Sequence, residues 1–472
     1  MRVLLLRPPY RSKRIAPNFP IGLACLAASL EESGHEPTIL DLPLTPAPIE
    51  SLKRALGQND YPLIGIGALT AQFAGVQEVI PHLRSFSPES RIVLGGPHAS
   101  GCPEDAIEQT SADFAIRGEG EKSLAALARA LECGADLGSV PALVYRHKAG
   151  FIRNPPQEPL PPMDEHPLPA YHLLDLEPYI RMMLSECVRP GSRPIQILTS
   201  RGCPYRCTYC HNLFGKRFRA RSPGNVLKEI LLLNSRYGVD EFLVHDDIFN
   251  FDMDRAREIF RLVLKSGLKA GFSFPNGLRA EFMDEDLMGL MAAAGVHTVG
   301  VGIECASQRL QESTRKHLAI PDVDRFLRIA KHCHMQTQGF FMIGFPDEDA
   351  EEIHRTIRYA RRTKDLDTAF FSFPTPYPGT ELARQLSEKG ELVELASENS
   401  DTYTPHFRAG GLGYRKLVWL RMKAYLYFYL TPRRLWAVFK DLGNPQFTAL
   451  YLTPLRRMVQ MLTWKPRGPS RP

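Results

Sequence analysis

The 472 residues read as an α/β chain: two successive parallel-sheet domains, the second a partial barrel, followed by a helical appendage. Three observations predict this. Short apolar runs alternate with longer amphipathic stretches in two separate series. Seven prolines between Pro155 and Pro169 divide the two series. From Asp401 onward the composition changes, with 13 basic side chains against 2 acidic ones and all three tryptophans of the chain.

In the first series, Arg2–Leu6, Thr38–Leu42, Leu63–Leu69, Arg91–Leu94 and Phe114–Ile116 are expected strands. Helices are expected at Ile21–Leu30, Ile49–Leu56, Gln72–Ser85 and Glu121–Leu131. Pro20 opens the first helix and Gly34 stops it. Strands apolar throughout and separated by helices make βαβ units, a sheet covered on both faces, and a ligand site beyond the carboxyl ends of the strands. This first domain is placed at residues 1–145 and a proline-rich linker at 146–193, within which Pro155–Pro169 is unfit for helix or central strand.

The second domain is placed at 194–385, with strands at Ile195–Thr199, Glu241–His245, Gly271–Pro275, Thr298–Ile303, Gln338–Ile343 and Thr368–Phe373. Its helices are Pro223–Tyr237, Met253–Ser266, Asp284–Ala294, Pro321–Cys333 and Asp349–Lys364. Six βα units in a row predict a partial barrel with its site at the carboxyl ends of the strands. The appendage occupies 386–472. In it Trp419, Leu420, Tyr425, Phe428, Tyr429, Trp436 and Phe439 recur at helical spacing, and Pro432 divides them into two helices. Arg421, Lys423, Arg433, Arg434 and Lys440 are expected on the polar faces. Such faces either pack on the barrel or cap its open end and admit a lipophilic, membrane-derived substrate.

Composition excludes several classes. With 44% apolar and 23% charged residues the chain is neither disordered nor collagen-like. Its apolar runs fall short of a membrane span, and Met1–Leu6 is too brief for a signal peptide. Nine cysteines without an export signal point to a reducing cytoplasm and to metal or catalytic thiols rather than a disulfide framework. The net charge of +6 is concentrated in the appendage, which argues against a nucleic-acid partner and leaves peripheral membrane contact as a role for that region.

The strongest chemical signal is Ser200-Arg-Gly-Cys203-Pro-Tyr-Arg-Cys207-Thr-Tyr-Cys210-His211, in the loop after the first strand of the second domain. Clustered thiolates suit zinc or an iron–sulfur cluster. Zinc would need a fourth ligand, from His211 or a remote cysteine. A four-iron cluster held by three thiolates would leave one iron open to a cofactor or substrate. In the first series, Gly95-Gly96-Pro97-His98 and Arg117-Gly118-Glu119-Gly120-Glu121 follow the fourth and fifth strands. Glycines there either turn the chain or admit a ligand close to the backbone. His98 alone reads as a hydrogen-bonded loop histidine.

The cysteine spacing resembles the radical S-adenosylmethionine (SAM) superfamily, whose signature is Cys-x3-Cys-x2-Cys with an aromatic residue before the last cysteine, here Tyr209. The resemblance implies a 4Fe–4S cluster on Cys203, Cys207 and Cys210 whose open iron chelates SAM, and cleavage of SAM to a 5′-deoxyadenosyl radical. It also implies SAM contacts from Asp247, from Glu304 (followed by Cys305 in place of the usual Ser), and from Ile343 and Gly344 beside the adenine. Phe373-Pro-Thr-Pro-Tyr-Pro-Gly-Thr380 resembles the sixth-strand signature of the subgroup with an N-terminal cobalamin-binding domain, and that likeness covers residues 1 to about 430.

The fold so implied is a Rossmann-like cobalamin-binding domain, a partial (β/α)6 TIM barrel and a helical appendage. Leu69, Thr70, Gly95, Gly96, His98, Gly118 and Glu119 would bind cobalamin. Asp-x-His-x-x-Gly is absent, and the nearest string, Asp164-Glu-His166-Pro-Leu-Pro169, lacks its glycine, so no histidine from the chain is expected on cobalt. The implied activity is methyl transfer to an unactivated carbon of a small molecule, with electrons from an external low-potential donor. Cyclisation, rearrangement or oxidation on the same scaffold is the alternative, and a zinc or corrinoid carrier without SAM turnover is the non-enzymatic one.

Overall fold

Along Arg2–Arg7 (β1) side chains alternate between two buried layers: Leu4 and Leu6 join one apolar cluster, Val3 and Leu5 the other. That two-sided burial is what the unbroken apolar run requires. The computed structural model describes residues 1–10, 18–148, 150–184, 189, 191–211, 213–391 and 402–440, with side chains to 436. Around β1 lie Glu36–Asp41 (β2), Leu63–Gly67 (β3), Arg91–Gly95 (β4) and Phe114–Ile116 (β5), in the spatial order β2-β1-β3-β4-β5 and all parallel. Two antiparallel strands not foreseen from sequence, Leu143–His147 (β6) and Gly150–Arg153 (β7), extend the sheet past position 145. Only the start of β6 is buried, so no apolar alternation announces it.

A second difference lies after β4. The Gly95–Ser100 stretch, expected as a turn, enters the short helix Gly96–Gly101, with Pro97 in its first turn where a missing amide costs no hydrogen bond.

The second sheet contains Pro194–Ile197 (β8), Glu241–Val244 (β11), Gly271–Leu278 (β12), Val296–Glu304 (β13), Gln336–Met342 (β14) and Thr368–Ser372 (β15). These run parallel in the order β15-β14-β13-β12-β11-β8, so consecutive units lie side by side as an open barrel. Helices such as Pro223–Tyr237 and Met253–Ser266 begin and end where the sequence places them, each with a serine or aspartate N-cap and a left-handed glycine after its last turn. A two-stranded ribbon, Ser200–Arg201 (β9) with Arg219–Ala220 (β10), closes the neck of the cysteine loop.

The segment around Tyr171–Tyr179 is no slack tether: the rings of Tyr171 and Tyr179 each pack 5.4 Å from that of Phe19. Gln196 of β8 donates to the Phe19 carbonyl at 2.6 Å. Gly101 of the first domain meets Pro378-Gly379 of the second backbone to backbone, so closely that a Cβ on Gly101 would strike the Pro378 carbonyl.

The appendage forms the helices Tyr414–Tyr429 and Pro432–Lys440, divided at Pro432. Leu417, Leu420, Ala424, Tyr425 and Phe428 join the barrel core. The Tyr425 hydroxyl lies 3.1 Å from the Phe371 amide and 3.3 Å from its carbonyl, and the Tyr429 hydroxyl does the same at Ala369, so tyrosines cover the edge of β15. Two of the basic residues expected on polar faces are instead buried. Arg421 donates to the Tyr403 carbonyl at 2.6 Å and stacks over Phe373, and Arg434 caps carbonyls at the end of the helix Ala350–Arg362. Trp419 and Trp436, expected on packed faces, are exposed. Phe439 and Lys440 lie outside the described side chains, as Trp464 lies outside the described residues. Among the described residues no helix is long and apolar enough to cross a membrane.

Candidate functional site

The cysteine loop leaves β9 at Gly202, whose φ is +82° and whose Cβ, if present, would collide with the Arg217 carbonyl. Only glycine turns the chain there. The Gly202 amide donates to the Asp247 carboxylate at 3.1 Å, and Lys216 donates to the Tyr205 carbonyl at 2.8 Å. Thr208 ties the loop to two more elements: its amide donates to Thr314 at 3.0 Å and its carbonyl accepts from Leu382 at 2.8 Å. The Cys207 thiol contacts the Arg315 carbonyl at 3.7 Å. A hydrogen bond between the Cys207 and Cys210 thiols lets Cys207 ionise more readily than a free thiol, against the effect of its burial.

Among the described residues no three His, Cys, Asp or Glu side chains converge on a single ion. A four-iron cluster would instead take one thiolate per iron, and three thiols in one loop could supply three of them. Beside them the Tyr209 ring is buried, 5.5 Å from that of Phe345, and its hydroxyl has no partner among the described residues. An orphaned buried hydroxyl at this point fits a bound polar group.

The ends of the barrel strands converge on the same loop. Glu304 ends β13 with φ +62°, a left-handed conformation costly for glutamate, and Arg315 and His317 share it at +57° and +52°. The Glu304 carboxylate is engaged by Lys316 at 3.0 Å. Burial disfavours the Lys316 cation, but Glu304 and the neighbouring cysteines hold its pKa above the usual value. Ile343 and Gly344 follow β14, and Gly344 has φ +94°. Its amide and that of Phe345 donate to Glu348 at 2.5 and 3.1 Å. Glu348 is fully buried, its second oxygen has no partner among the described residues, and burial pushes its pKa up to about 8. Asp246, which adjoins Asp247, is spent on structure: it accepts from the Thr199 amide and hydroxyl and from the Ser200 hydroxyl.

In the N-terminal domain a cavity of about 250 Å³ opens at the carboxyl ends of β1, β3, β4 and β5, where the strand order switches between β1 and β3. Of the residues expected to bind cobalamin, Leu69, Gly95, Gly96, Gly118 and Glu119 line it, whereas Thr70 and His98 do not. His98 stacks on Phe73 with 3.9 Å between ring centroids, and burial pushes its pKa down to about 4. Gly22 and Gly95 line the cavity, and a Cβ on either would meet nothing within 4 Å, so a side chain at Gly95 would project into open space.

Leu198, Arg201, Leu213 and Phe214 also line this cavity, so the neck and the tip of the cysteine loop form its far wall. Sequence reading missed Arg201, Gln72, Lys316 and Glu348. Gln72 bridges the Leu69 amide and the Pro8 carbonyl at the cavity edge. Arg201 and Lys316 carry no local pattern, because their partners lie in other elements.

The B12-binding domain model matches residues 14–128, and the radical SAM superfamily model matches 197–360. An uncharacterized methyltransferase of Pyrococcus horikoshii is 32% identical over 442 residues, 92% of this chain and 93% of the relative. Cytidylyl-2-hydroxyethylphosphonate methyltransferase of Streptomyces wedmorensis is 30% identical over 444 residues, 82% of each. The solved structure of the radical S-adenosylmethionine methyltransferase TsrM of Kitasatospora setae, with cobalamin and a 4Fe–4S cluster bound, aligns with a TM-score of 0.76 at 20% identity. That alignment covers 98% of this chain and 99% of TsrM, and it speaks for the fold.

Proposed function

Because the chain belongs to the radical SAM superfamily, in the branch with a B12-binding domain ahead of the barrel, we propose that it transfers a methyl group from SAM to an unactivated carbon of a small molecule. It is a radical SAM enzyme whose cofactors are a 4Fe–4S cluster, SAM and cobalamin. One observation carries the methyl-transfer reading: the cysteine loop is itself a wall of the N-terminal cavity, through Leu213 and Phe214. A radical-generating site and a methyl carrier are useful together only when they are adjacent.

When bound, the reduced cluster supplies the electron that cleaves SAM, and cobalamin carries the methyl group. Cys203, Cys207 and Cys210 would hold three irons and leave the fourth for SAM. The Tyr209 hydroxyl, Asp247, the Glu304–Lys316 pair and the backbone at Ile343-Gly344 would orient SAM, which is supported by their convergence on the loop. Leu69, Gly95, Gly96 and Gly118 would hold the nucleotide tail of cobalamin. Thr70 and His98 would support that wall from outside it, and no histidine of the chain would reach cobalt. The electron is assigned to an external low-potential donor. The helix Tyr414–Tyr429 is spent on packing against the barrel, so it lends no support to a lipophilic entry path.

The test is incubation of the anaerobically reconstituted enzyme with methyl-labelled SAM, a low-potential reductant and a deproteinised small-molecule extract. The expected result is a product with label on carbon that disappears when cobalamin is omitted. SAM cleavage accompanied only by rearranged, unlabelled product would overturn the methyl-transfer reading.

A further inference from the structure

We propose that Arg201, Arg219, Glu119 and Glu121 form a buried lock that seats the neck of the cysteine loop on the B12-binding domain and so positions the loop against the cavity; this rests on the cofactor reading above. Arg201 and Arg219 are register partners across the β9–β10 ribbon, and all three loop cysteines lie between them. Two like charges directly opposite each other weaken a ribbon. Here each finds its counter-charge in the other domain. Arg201 donates to Glu119 at 2.7 Å and to Glu121 at 2.6 Å, and Arg219 pairs with the second oxygen of Glu119. The four side chains are only 6–8% exposed.

Two guanidiniums and two carboxylates cancel only while the domains are docked. Separating the domains would leave two like charges side by side on each face, and mis-seating would bury them without their partners, which is why such a cluster discriminates between correct and incorrect seating. At Arg201 and Glu121 the electrostatics agree with the geometry. Burial disfavours the charged forms, yet Arg201 keeps the Glu121 carboxyl below its usual range, and Glu121 keeps the Arg201 guanidinium above its own.

The carboxylates are held as firmly on their own side. Gly118, with φ +73°, accepts no side chain easily, and its amide is fixed by the Ser100 hydroxyl at 2.9 Å. Arg201, Glu119 and Glu121 all line the cavity, so a shift of the loop neck reshapes the cobalamin wall. Both oxygens of Glu119 are taken by arginine. Its part, like that of Arg201, is therefore positioning rather than direct contact with the cofactor.

The experiment compares the full-length protein with Arg201→Lys, which keeps the charge but loses the two-pronged geometry, and with Glu119→Gln. Three readouts are taken on the anaerobically reconstituted proteins: iron and sulfide per chain, the dissociation constant of aquocobalamin by absorbance, and hydrogen exchange in peptides covering 202–218. The lock predicts at least tenfold weaker cobalamin binding and faster exchange at 202–218 in both variants, with Cys203, Cys207 and Cys210 unaltered. Wild-type affinity together with wild-type exchange in Arg201→Lys would overturn it. A wild-type protein that binds no cobalamin would instead contradict the cofactor reading, and the exchange measurement alone would then decide the lock.

Discussion

The two halves of the site are built on opposite principles. The N-terminal cavity is walled mainly by strand-end backbone and aliphatic side chains, with Gly22 and Gly95 leaving the space open. Among the described residues the cysteine loop has no helix or strand between β9 and β10. It is held from outside by Thr314, Leu382, Asp247, Arg315 and the buried charges of the other domain. Apolar packing is non-directional and makes a shape that persists by itself, whereas a loop held by directional bonds keeps its geometry only while each partner is in place. One half should therefore survive loss of the other's ligand groups, and the loop should be the more easily disordered.

The largest effect expected is on the loop. Cys207→Ala should reduce iron and sulfide to background after anaerobic reconstitution while cobalamin still binds, because the cavity owes none of its wall to that thiol. Unchanged iron would refute the cluster assignment. Gly95→Leu is the converse. Its φ of −143° accepts any side chain, so the protein should fold and keep its iron, while bound cobalamin drops at least tenfold because the cavity is filled. Retained cobalamin would place the nucleotide tail elsewhere. His98→Ala sharpens the contrast: its ring lies on Phe73 outside the cavity, so the spectrum of bound cobalamin should not change.

Smaller effects come from the supports. Glu348 has its pKa raised from 4.5 to about 8, so over that interval the folded chain holds a proton that the unfolded chain releases. Stability from this group is therefore present below pH 4.5 and declines as pH rises to 8. Glu348→Gln keeps an acceptor for the Gly344 amide and removes that titration. Its unfolding free energy, read from urea denaturation, should gain on the wild type between pH 5 and 8, by on the order of 1–4 kcal/mol. A gap independent of pH would show that Glu348 is charged in the fold. Tyr425→Phe should cost about 1 kcal/mol by loosening the cover on the β15 edge, read from the same denaturation curves.

The same contrast decides what was legible in the sequence. Parallel strands buried on both faces leave unbroken apolar runs, so β1, β3, β4 and the barrel strands could be read directly, as could the helices capped by Ser222 and Asp252. The half-buried pair β6–β7 leaves no such pattern. Cysteine spacing and strand-end glycines are local, and they marked both halves of the site. What could not be read is pairing over distance: Arg201 meets Glu121 across 80 residues of sequence, and Lys316 meets Glu304 by a turn that no composition announces. In the appendage, helical spacing located the helices but not their faces. Arg421 and Arg434 are buried because carbonyls and rings of the barrel await them, which the tail's own sequence does not contain.

The shared wall between cavity and cysteine loop requires the two cofactors to be neighbours. The most direct measurement is electron paramagnetic resonance of the reconstituted protein with both the cluster and cobalamin in their paramagnetic states. The account predicts that each signal is broadened and relaxed by the other, and that the cobalamin signal reverts to that of an isolated centre in Cys207→Ala. Two signals that superimpose on those of the separate centres would place the cofactors apart and contradict it.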